Sequence, residues 1–450
     1  MKAKLKWALP GLLALMVFAS GCGNSGGGAE SGNGNGNSNG GATATATDGG
    51  GEAAGKTITL KFWGGVPEEA GPLDMVKAWN DANDDVKVEY VRFVNDDSGN
   101  LKLDTALVAG ENIDLYVSYA KFMVEKRVQA GSALNLSQLE GYDIEGKLGE
   151  AVKAWKFEDG YYGLPTVSSQ SFIWLNKDAL DAAGLPLPAL DWTQSDLAAY
   201  AKRLSRDTTY GYVQGTNMFS FNMDGELQND FVKDGKSNLD TPVTRASLEA
   251  WHKMMHEDKS MPTYGEQVAT KMPVDASFLK GEAAMFGAGN WIFRNANNLT
   301  DYPREFKIAF ATVPRPDGAR SDFRMEGGLS DVVSINPKSA YKDEAWKFLQ
   351  WYADEGVTYL SKGGRIPASG QVDNSVTMVK LVEGNEQLYD LDSLKNVLFG
   401  NQETYINTVP VQLNDLRAEE MENYFLNSRS LDQTMENIVK RHNDLIKRNG

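Results

Sequence analysis

The chain of 450 residues has little of the side-chain chemistry on which disulfide-rich, metal-binding and many catalytic proteins depend, with one Cys and three His. A single Cys excludes a disulfide framework and any site built from several thiolates. Positive charge is also in the minority, because 45 Lys and Arg stand against 61 Asp and Glu and the formal net charge is −16. Phosphate binding requires clustered Lys and Arg, so this balance argues against nucleic acid as a partner.

The sequence does contain ample material for buried cores. Hydrophobic residues make up 41% of it, with 10 Trp, 17 Tyr and 18 Phe, which excludes a wholly disordered chain. Domains commonly hold about 100–200 residues, so the length predicts two or three of them. The composition favours a large, acidic, globular protein with few catalytic groups.

The N-terminus has the pattern of an export signal. Lys2, Lys4 and Lys6 precede an apolar run over residues 7–19. A membrane-spanning helix needs about 20 apolar residues, whereas a signal peptide uses a shorter apolar run after a basic start. The pattern predicts a signal peptide over residues 1–21 and a mature protein outside the cytoplasm.

The apolar run closes with Ala19-Ser20-Gly21-Cys22, and Cys22 is the sole Cys of the chain. This tetrapeptide resembles the bacterial lipobox. The resemblance implies that Cys22 is diacylated, becomes the mature N-terminus and anchors the protein to the cell membrane. The alternative is a free Cys after an ordinary signal peptide, although a free thiol is normally avoided in export.

A segment of biased composition follows the Cys. Residues 23–55 consist mainly of Gly, Asn, Ser, Ala and Thr and contain no aromatic residue. Such a segment buries too little apolar surface to offset its chain entropy. We therefore expect residues 22–55 to be a disordered tether that begins at the lipidated Cys.

Strand-like and helix-like patterns alternate from Lys56 onward, which is typical of an α/β domain with a mainly parallel sheet. Later helices are predicted over 244–257, over 340–355 with Gly356 as its C-cap, and from Ser430, where a capping box begins. The remaining predicted elements are strands at 57–63, 86–94, 113–117 and 171–176, and helices at 71–82, 101–109, 177–183 and 193–205.

Patterns for metal and nucleotide sites are incomplete. His252 and His256 have the spacing of a zinc-binding pair, but the residues between them lack the Glu of the zincin motif. The segment 287–289 lacks the third Gly of a dinucleotide fingerprint. The segment Asn222-Met223-Asp224-Gly225-Glu226 has only part of a calcium loop, and we interpret it as a turn. We expect neither a metal nor a cofactor.

Two Trp residues stand apart from those that fit helical core patterns. Trp63 ends the first predicted strand at a Gly-Gly loop, and ligands of open α/β sheets lie beyond the carboxyl ends of strands. Trp291 follows two glycines that would let a ligand approach the backbone. An indole offers a flat apolar surface that suits the C–H face of a sugar ring. We favour ligand binding over core packing for Trp291 and leave both roles open for Trp63.

Several segments, in order along the chain, resemble motifs of one family. That family is the extracellular solute-binding proteins of family 1, the maltose-binding-protein-like group that serves bacterial ABC importers. The segments that carry the resemblance are Gly160-Tyr161-Tyr162-Gly163-Leu164-Pro165, Leu175-Asn176-Lys177-Asp178, Asp191-Trp192-Thr193, Gly281-Glu282-Ala283-Ala284-Met285 with Trp291, Phe348-Leu349 and Gly364-Arg365-Ile366-Pro367.

The resemblance implies a two-lobed, periplasmic-binding-protein-like α/β fold. Each lobe would have a mainly parallel sheet flanked by helices, and the chain would cross between the lobes near residues 165, 329 and 375. The N-lobe would comprise 56–165 and 330–375, and the C-lobe 166–329 and 376–450. Ligand would bind in the cleft, and closure of the hinge would present the loaded protein to the permease.

The resemblance also implies the ligand and its contacts. The expected partners are a sugar, with an oligosaccharide favoured over a single ring, and the permease subunits of an ABC importer, with the binding protein itself a monomer. Trp291 would stack on a sugar ring, and hydroxyl groups would supply hydrogen bonds. The expected cleft residues are Trp63, Ser118, Tyr119, Ser169, Trp291 and Phe293, with Arg365 as a further candidate.

An enzyme remains as the alternative class. An exported, lipid-anchored hydrolase of carbohydrates would use two carboxylates, with Glu68 or Glu326 as the candidate acid. Carboxylates are abundant in an acidic chain, so the sequence does not single out a pair.

We predict that Cys22→Ser releases the protein from membranes. Two acyl chains give stable anchoring, so the wild-type protein should partition into the detergent phase and the variant into the aqueous phase. Phase partitioning of whole-cell extracts measures this. If both proteins stay in the aqueous phase, the prediction of a lipid anchor at Cys22 is wrong.

Overall fold

The computed structural model describes residues 57–157, 160–206, 208–400 and 402–449. The predicted signal peptide, the lipidation at Cys22 and the tether over 22–55 lie outside these residues. Within them, no helix combines the length and the apolar character that a bilayer crossing requires.

The strands of the described residues begin with three that alternate with helices, as the pattern from Lys56 predicts. The strands are β1 (Ile58–Gly64), β2 (Val86–Arg92), β3 (Leu115–Ser118), β4 (Lys156–Phe157), β5 (Gly160–Tyr161), β6 (Leu164–Asn176), β7 (Val213–Gln214), β8 (Val232–Lys233), β9 (Lys236–Ser237), β10 (Met285–Gly289), β11 (Ile308–Ala311), β12 (Met325–Ile335), β13 (Ile366–Pro367) and β14 (Thr404–Tyr405).

Helices flank these strands, and two short 3₁₀ helices, Asn290–Ile292 and Gly356–Gly363, also bear on the site. The α-helices are α1 (Pro72–Ala82), α2 (Asp97–Ala109), α3 (Lys121–Gln129), α4 (Ile144–Leu148), α5 (Lys177–Ala182), α6 (Gln194–Leu204), α7 (Phe221–Leu227), α8 (Pro242–His256), α9 (Tyr264–Thr270), α10 (Val274–Leu279), α11 (Phe293–Ala296), α12 (Lys342–Asp354), α13 (Asn374–Val382), α14 (Leu391–Leu398), α15 (Val411–Phe425) and α16 (Leu431–Asn449).

The main sheet is mixed rather than mainly parallel. Its strand order is β2-β1-β3-β12-β6-β10-β7, with β11 and β13 on β6 and β14 on β12. The pairs β1–β2 and β1–β3 are parallel, as the strand–helix alternation predicts, but β12 pairs antiparallel with both β3 and β6. Strand β12 therefore runs in the direction opposite to both of its neighbours, β3 and β6.

Strand β6 connects two halves of the structure. Residues 164–170 of this 13-residue strand pair with β12, and residues 171–176 pair with β10 and β11. The sequence pattern revealed only the second half, because the first half is rich in polar residues. One continuous strand therefore belongs to both halves.

The buried apolar residues form separate cores on the two sides of this strand. One core draws on residues between 60–167 and 329–360, including Phe62, Leu164 and Phe348. Two further cores draw on residues from 172 onward, including Trp174 and Trp251. The α/β fold is thus two-lobed, as expected. The exact lobe boundaries are left as a prediction.

Helix ends follow the side chains that cap them. The capping box of α16 forms as predicted, since Ser430 Oγ accepts from the N–H of Gln433 at 3.3 Å. Helix α2 begins at Asp97 rather than 101, because the Asp96 carboxylate caps it by accepting from the N–H of Gly99 at 2.7 Å.

Gly356 does not act as the predicted C-cap. Helix α12 ends at Asp354 with Glu355 as its cap, and Gly356 opens the following 3₁₀ helix. A Cβ added at Gly356 would approach a ring atom of Trp351 to 2.6 Å, so a close approach of the indole, rather than a left-handed turn, accounts for this glycine.

The segment that we interpreted as a turn, Asn222–Glu226, lies within helix α7, which corrects that interpretation. Asp224 in this segment is explained by a long-range contact. The Asp224 carboxylate forms an ion pair with the Arg417 guanidinium of α15, and the two side chains are 4% and 0% exposed. The second contact of this bidentate pair, from Nη2 to Oδ2, is 3.2 Å long.

We predict that Arg417→Leu lowers the free energy of unfolding by about 3–5 kcal/mol, because it leaves the buried Asp224 carboxylate without its partner. The double variant Asp224→Leu/Arg417→Leu should recover most of this loss, since no charge is then buried alone. Urea denaturation of the three proteins measures both effects. A loss below about 1 kcal/mol in the single variant would contradict the prediction, because that is the worth of an exposed pair.

Candidate functional site

A cavity of about 1040 Å³ lies between the cores, at the upper end of the sizes found for small-molecule sites. On one side it is bounded where the parallel strands β1, β2 and β3 end. Gly65 follows β1, Arg92 ends β2 and Tyr119 follows β3, so three carboxyl ends meet at one wall. The opposite wall is supplied by the middle of β6, the start of β12, the 3₁₀ helix after β10, and residues 406–415.

Trp291 lies on the 3₁₀ helix Asn290–Ile292 and forms part of the second wall. Its side chain is 37% exposed, although it is one of the largest apolar groups in the chain. The indole lies directly over Gly289, because a Cβ built at Gly289 would come within 1.9 Å of a ring carbon. A glycine at this position therefore lets the ring lie against the backbone with its outer face towards the cavity.

Tyr119 and Ser169 also line the cavity and bring hydroxyl groups to it. The Tyr119 hydroxyl accepts from the N–H of Gly65 at 2.6 Å, and burial holds the pKa of this phenol above its usual range. Ser169 Oγ lies 2.7 Å from Ser330 Oγ, which joins β6 to β12 at the cavity. Both groups are held in place by neighbours and keep hydrogen-bonding capacity.

Arg365 reaches the cavity from the segment before β13 and is held by Asp331. Its Nε donates to Asp331 Oδ2 at 3.0 Å, and both side chains are almost fully buried. Asp331 has φ of 45°, in the left-handed region that residues other than glycine rarely adopt. Thr166 Oγ1 donates to its carbonyl at 2.8 Å. Such a conformation persists where the surroundings fix it, and it occurs most often at functional sites.

Trp63 and Ser118 do not line the cavity, contrary to expectation. Trp63 is 8% exposed and packs with Phe93 and Leu103, which favours the core role that the sequence left open. Ser118 is fully buried, and its Oγ accepts from Arg127 Nη1 at 2.7 Å. Both side chains are therefore buried and take no part in the lining of the cavity.

Phe293 also lies away from the cavity, in the core. Its ring centroid is 4.8 Å from that of Trp174 and 5.8 Å from that of Phe310. The expectation assumed a strand, in which residues two apart share a side. The chain instead enters a 3₁₀ turn at Asn290 and then helix α11, where a two-residue step turns through about 200° and reverses the direction of the side chain.

The candidate acids of the hydrolase alternative are separated by the fold. Glu68 is exposed on a short 3₁₀ helix outside the cavity, whereas Glu326 lines it. Asn407 Nδ2 lies 3.3 Å from Glu326 Oε2 and 3.5 Å from Asp224 Oδ2, which brings two carboxylates close together. Asp224, however, is held by Arg417 and does not line the cavity.

Burial raises the pKa of Glu326 to about 7, and the nearby Asp224 carboxylate adds to the increase. The Asn407 amide and the Arg417 charge act in the opposite direction. The Tyr405 hydroxyl lies near the same carboxylates. Glu326 is therefore a cavity residue that titrates near neutral pH.

His252 and His256 of α8 both contact neighbouring polar groups. His252 Nε2 is 2.6 Å from Asn427 Oδ1, and His256 Nε2 is 2.9 Å from the carbonyl of Phe425. Across the part of the chain that the structure describes, no group of three or more His, Cys, Asp or Glu is arranged to hold a metal ion.

Sequence reasoning missed two arginines of the cavity, Arg92 and Arg294. Arg92 looks like an ordinary exposed strand residue, because apolar residues alternate with polar ones along β2. Arg294 stands three residues after Trp291, and this spacing in a helical turn was the available signal.

Comparison with known proteins identifies the class. A model of the family described as bacterial extracellular solute-binding protein matches residues 65–359. The match covers well over half of the chain, and the chain belongs to this family.

A curated relative from Brucella abortus (strain 2308), named "Putative binding protein", is 26% identical over 258 residues. The matched segment spans 56% of this chain and 60% of that protein, so the likeness covers about three fifths of the relative's length.

Two solved structures show the same two-lobed fold. An ABC substrate-binding protein from Listeria monocytogenes, in complex with cycloalternan, is 20% identical with a TM-score of 0.71, covering 88% of this chain and 99% of that one. The GacH receptor of Streptomyces glaucescens, solved unliganded and with acarbose, is 18% identical with a TM-score of 0.69, covering 87% and 99%. At these identities the likeness establishes the fold.

We predict that Glu326→Gln changes how stability depends on pH. The pKa of Glu326 is raised from 4.5 to about 7, so the folded state retains a proton that the unfolded state loses between these values. This carboxyl therefore makes the wild-type protein less stable as pH rises from about 4.5 to 7.

The Gln variant should lose this contribution to the dependence of stability on pH. Its melting temperature should match that of the wild type near pH 4 and exceed it near pH 8. Thermal melts across this range measure the effect, with Glu68→Gln as the control for loss of an exposed carboxylate. An identical pH profile for wild type and Glu326→Gln would show that Glu326 is not buried as described.

Proposed function

We propose that this protein is a lipid-anchored, extracytoplasmic solute-binding protein that captures a carbohydrate, most suitably an oligosaccharide, and delivers it to an ABC importer. The observation that carries the proposal is the exposed indole of Trp291, held over Gly289 in a cavity of about 1040 Å³ between the cores. Both solved relatives described above were determined with a saccharide or a saccharide-like ligand, which supports this class of ligand.

The chemistry of the cavity suits a sugar. A pyranose presents apolar C–H faces and a rim of hydroxyl groups, and an indole with polar neighbours can serve both. The Trp291 indole provides the apolar surface, while Tyr119, Ser169 and Asn407 provide hydrogen-bonding groups around it. The volume accommodates more than one ring, which favours an oligosaccharide over a monosaccharide.

Hinge closure provides the mechanism of delivery. We propose an N-lobe of 56–165 and 330–375 and a C-lobe of 166–329 and 376–450, and the separate cores support this division. Contacts from a ligand to both walls would favour the closed state, and ligand can shift this equilibrium only by binding the closed state more tightly. The permease would then select the closed, loaded form.

Localisation and anchoring rest on the family and on the N-terminal pattern. The family consists of extracellular proteins of bacteria, which supports export. A diacylated Cys22 followed by the tether would hold the protein beside a membrane permease as a monomer.

A carbohydrate-active hydrolase is the alternative, and Glu326 is the observation that favours it, because an acid that titrates near neutrality suits proton donation. A hydrolase also requires a second carboxylate across the substrate. The neighbouring carboxylate of Asp224 is buried with Arg417, which makes binding without turnover the better supported function.

Incubation with a panel of oligosaccharides tests the choice. A binding protein should show a raised melting temperature with at least one member of the panel and release no product from it. Product release that is lost in Glu326→Gln would establish the hydrolase instead. A panel without any thermal shift or product would overturn both carbohydrate functions.

We predict that Trp291→Ala weakens saccharide binding by roughly ten- to a hundredfold, about 1–3 kcal/mol, with little change in the melting temperature of the free protein. The exposed ring contributes a contact that only the bound state completes. Calorimetric titration with a saccharide that binds the wild type measures the loss, and Leu190→Ala, which removes an exposed apolar side chain elsewhere, is the matched control. Unchanged affinity in the Trp291 variant would remove this residue from the site.

A further inference from the structure

The cavity contains guanidinium groups with different states of pairing. Arg365 is neutralised by Asp331 at 3.0 Å. Arg92 and Arg294 also line the cavity, yet within the described residues neither forms a hydrogen bond or an ion pair. A guanidinium carries five N–H donors and remains charged at any physiological pH, so these two groups have unused binding capacity.

Arg294 is the more informative of the two because it is half-buried. Burial lowers the pKa of its guanidinium and the charges of Arg365 and Arg92 lower it further, whereas the Asp275 carboxylate and the Tyr119 hydroxyl act in the opposite direction without outweighing them. A cation in such a position is unfavourable unless an anion is supplied. None of the acidic residues that line the cavity forms an ion pair with Arg294; they are Asp97, Glu125, Glu326, Asp331 and Asp415.

Arg294 lies close to Trp291, the aromatic residue of the cavity wall. Trp291 and Arg294 are three residues apart, across the junction of the 3₁₀ helix Asn290–Ile292 and helix α11, and both line the cavity. Residues three apart in such a turn lie on the same side. A ring stacked on the indole would therefore place its substituents within reach of this guanidinium.

Arg92 belongs to the opposite wall, at the end of β2. Its charge is felt by Arg294, so two like charges oppose each other across the cavity when no ligand is present. An anion between them would contact both walls at once and remove the repulsion, which favours the closed state.

We propose that the ligand is an acidic saccharide whose ring carries a carboxylate, bound by Arg294 beside Trp291 and by Arg92 from the facing wall. The inference rests on the proposed function of sugar capture. The planar fork of Arg matches a carboxylate with two parallel hydrogen bonds, which Lys cannot reproduce. Closure would then be driven by charge neutralisation together with stacking. Because the whole chain has a net charge of −16, recognition of an anion must come from these local contacts, and long-range attraction does not assist it.

Matched ligands and matched variants test the inference. The probes are uronate oligosaccharides prepared from pectin, alginate and hyaluronan, each compared with its carboxyl-reduced product of the same length and stereochemistry. At least one uronate should bind the full chain about tenfold or more tightly than its reduced form, as expected for hydrogen bonds to a charged group. Small-angle scattering should show a smaller radius with the uronate bound.

Arg294→Gln should lose about tenfold or more of the uronate affinity and leave the affinity for the reduced sugar nearly unchanged. Arg294→Lys should recover only part of the uronate affinity, because Lys restores the positive charge without the planar pair of N–H donors. Arg92→Gln, an exposed position whose loss does not threaten folding, should weaken uronate binding and closure together. Lys347→Gln removes the same charge from the exposed face of α12, outside the cavity, and should have no effect.

The outcomes separate the inference from the proposed function. If a reduced, neutral sugar binds as tightly as its uronate, or if Arg294→Gln weakens the binding of both equally, the inference of an acidic ligand is wrong. The proposed function of sugar binding is then still supported. If no saccharide of either kind binds, and the neutral panel above also fails, the proposed function falls as well.

Discussion

The antiparallel pairing of β6 with β12 is the interaction on which the rest of the structure depends. The two strands pair from Leu164 to Gln170 and from Gly327 to Val333, and β6 then continues into the second half of the sheet. Both strands pass the cavity, so this ribbon connects the two cores at the site itself. The contact between Ser169 and Ser330 and the left-handed Asp331 lie within it, so the connection between the cores and the wall of the site are formed by the same residues.

Charge is distributed unevenly around that ribbon. Two carboxylates, Asp331 and Asp224, are buried with arginine partners, and each pair fixes a segment of backbone at the edge of the cavity. The arginines that face the cavity without partners are the exception. Paired charges of this kind hold the geometry in place before ligand arrives, whereas unpaired ones define what the ligand must supply. The site thus combines paired charges that fix its backbone with arginines that have no partner in the protein.

The sequence predicted those elements whose signals are local. Strand β1, helices α1, α8 and α16 and the exposed position of Trp291 follow from apolar periodicity, capping residues and glycines within a few positions. Prediction from the sequence failed for the features that long-range contacts determine. The first half of β6 has polar residues because it lines a cavity, Asp224 pairs with a residue 193 positions away, and Phe293 turns inward because the chain leaves the strand before it. Such outcomes depend on neighbours that no short window contains.

The indole over Gly289 has a consequence for how the protein can be observed. Most of the other Trp residues among those described, such as Trp174 and Trp251, are buried and Trp351 is half-buried, whereas Trp291 is the most exposed of them. An indole emits at longer wavelength in water than in a dry environment, so Trp291 should contribute strongly to the long-wavelength part of the intrinsic fluorescence. The molecule carries its own optical reporter at the place where a ligand would displace water.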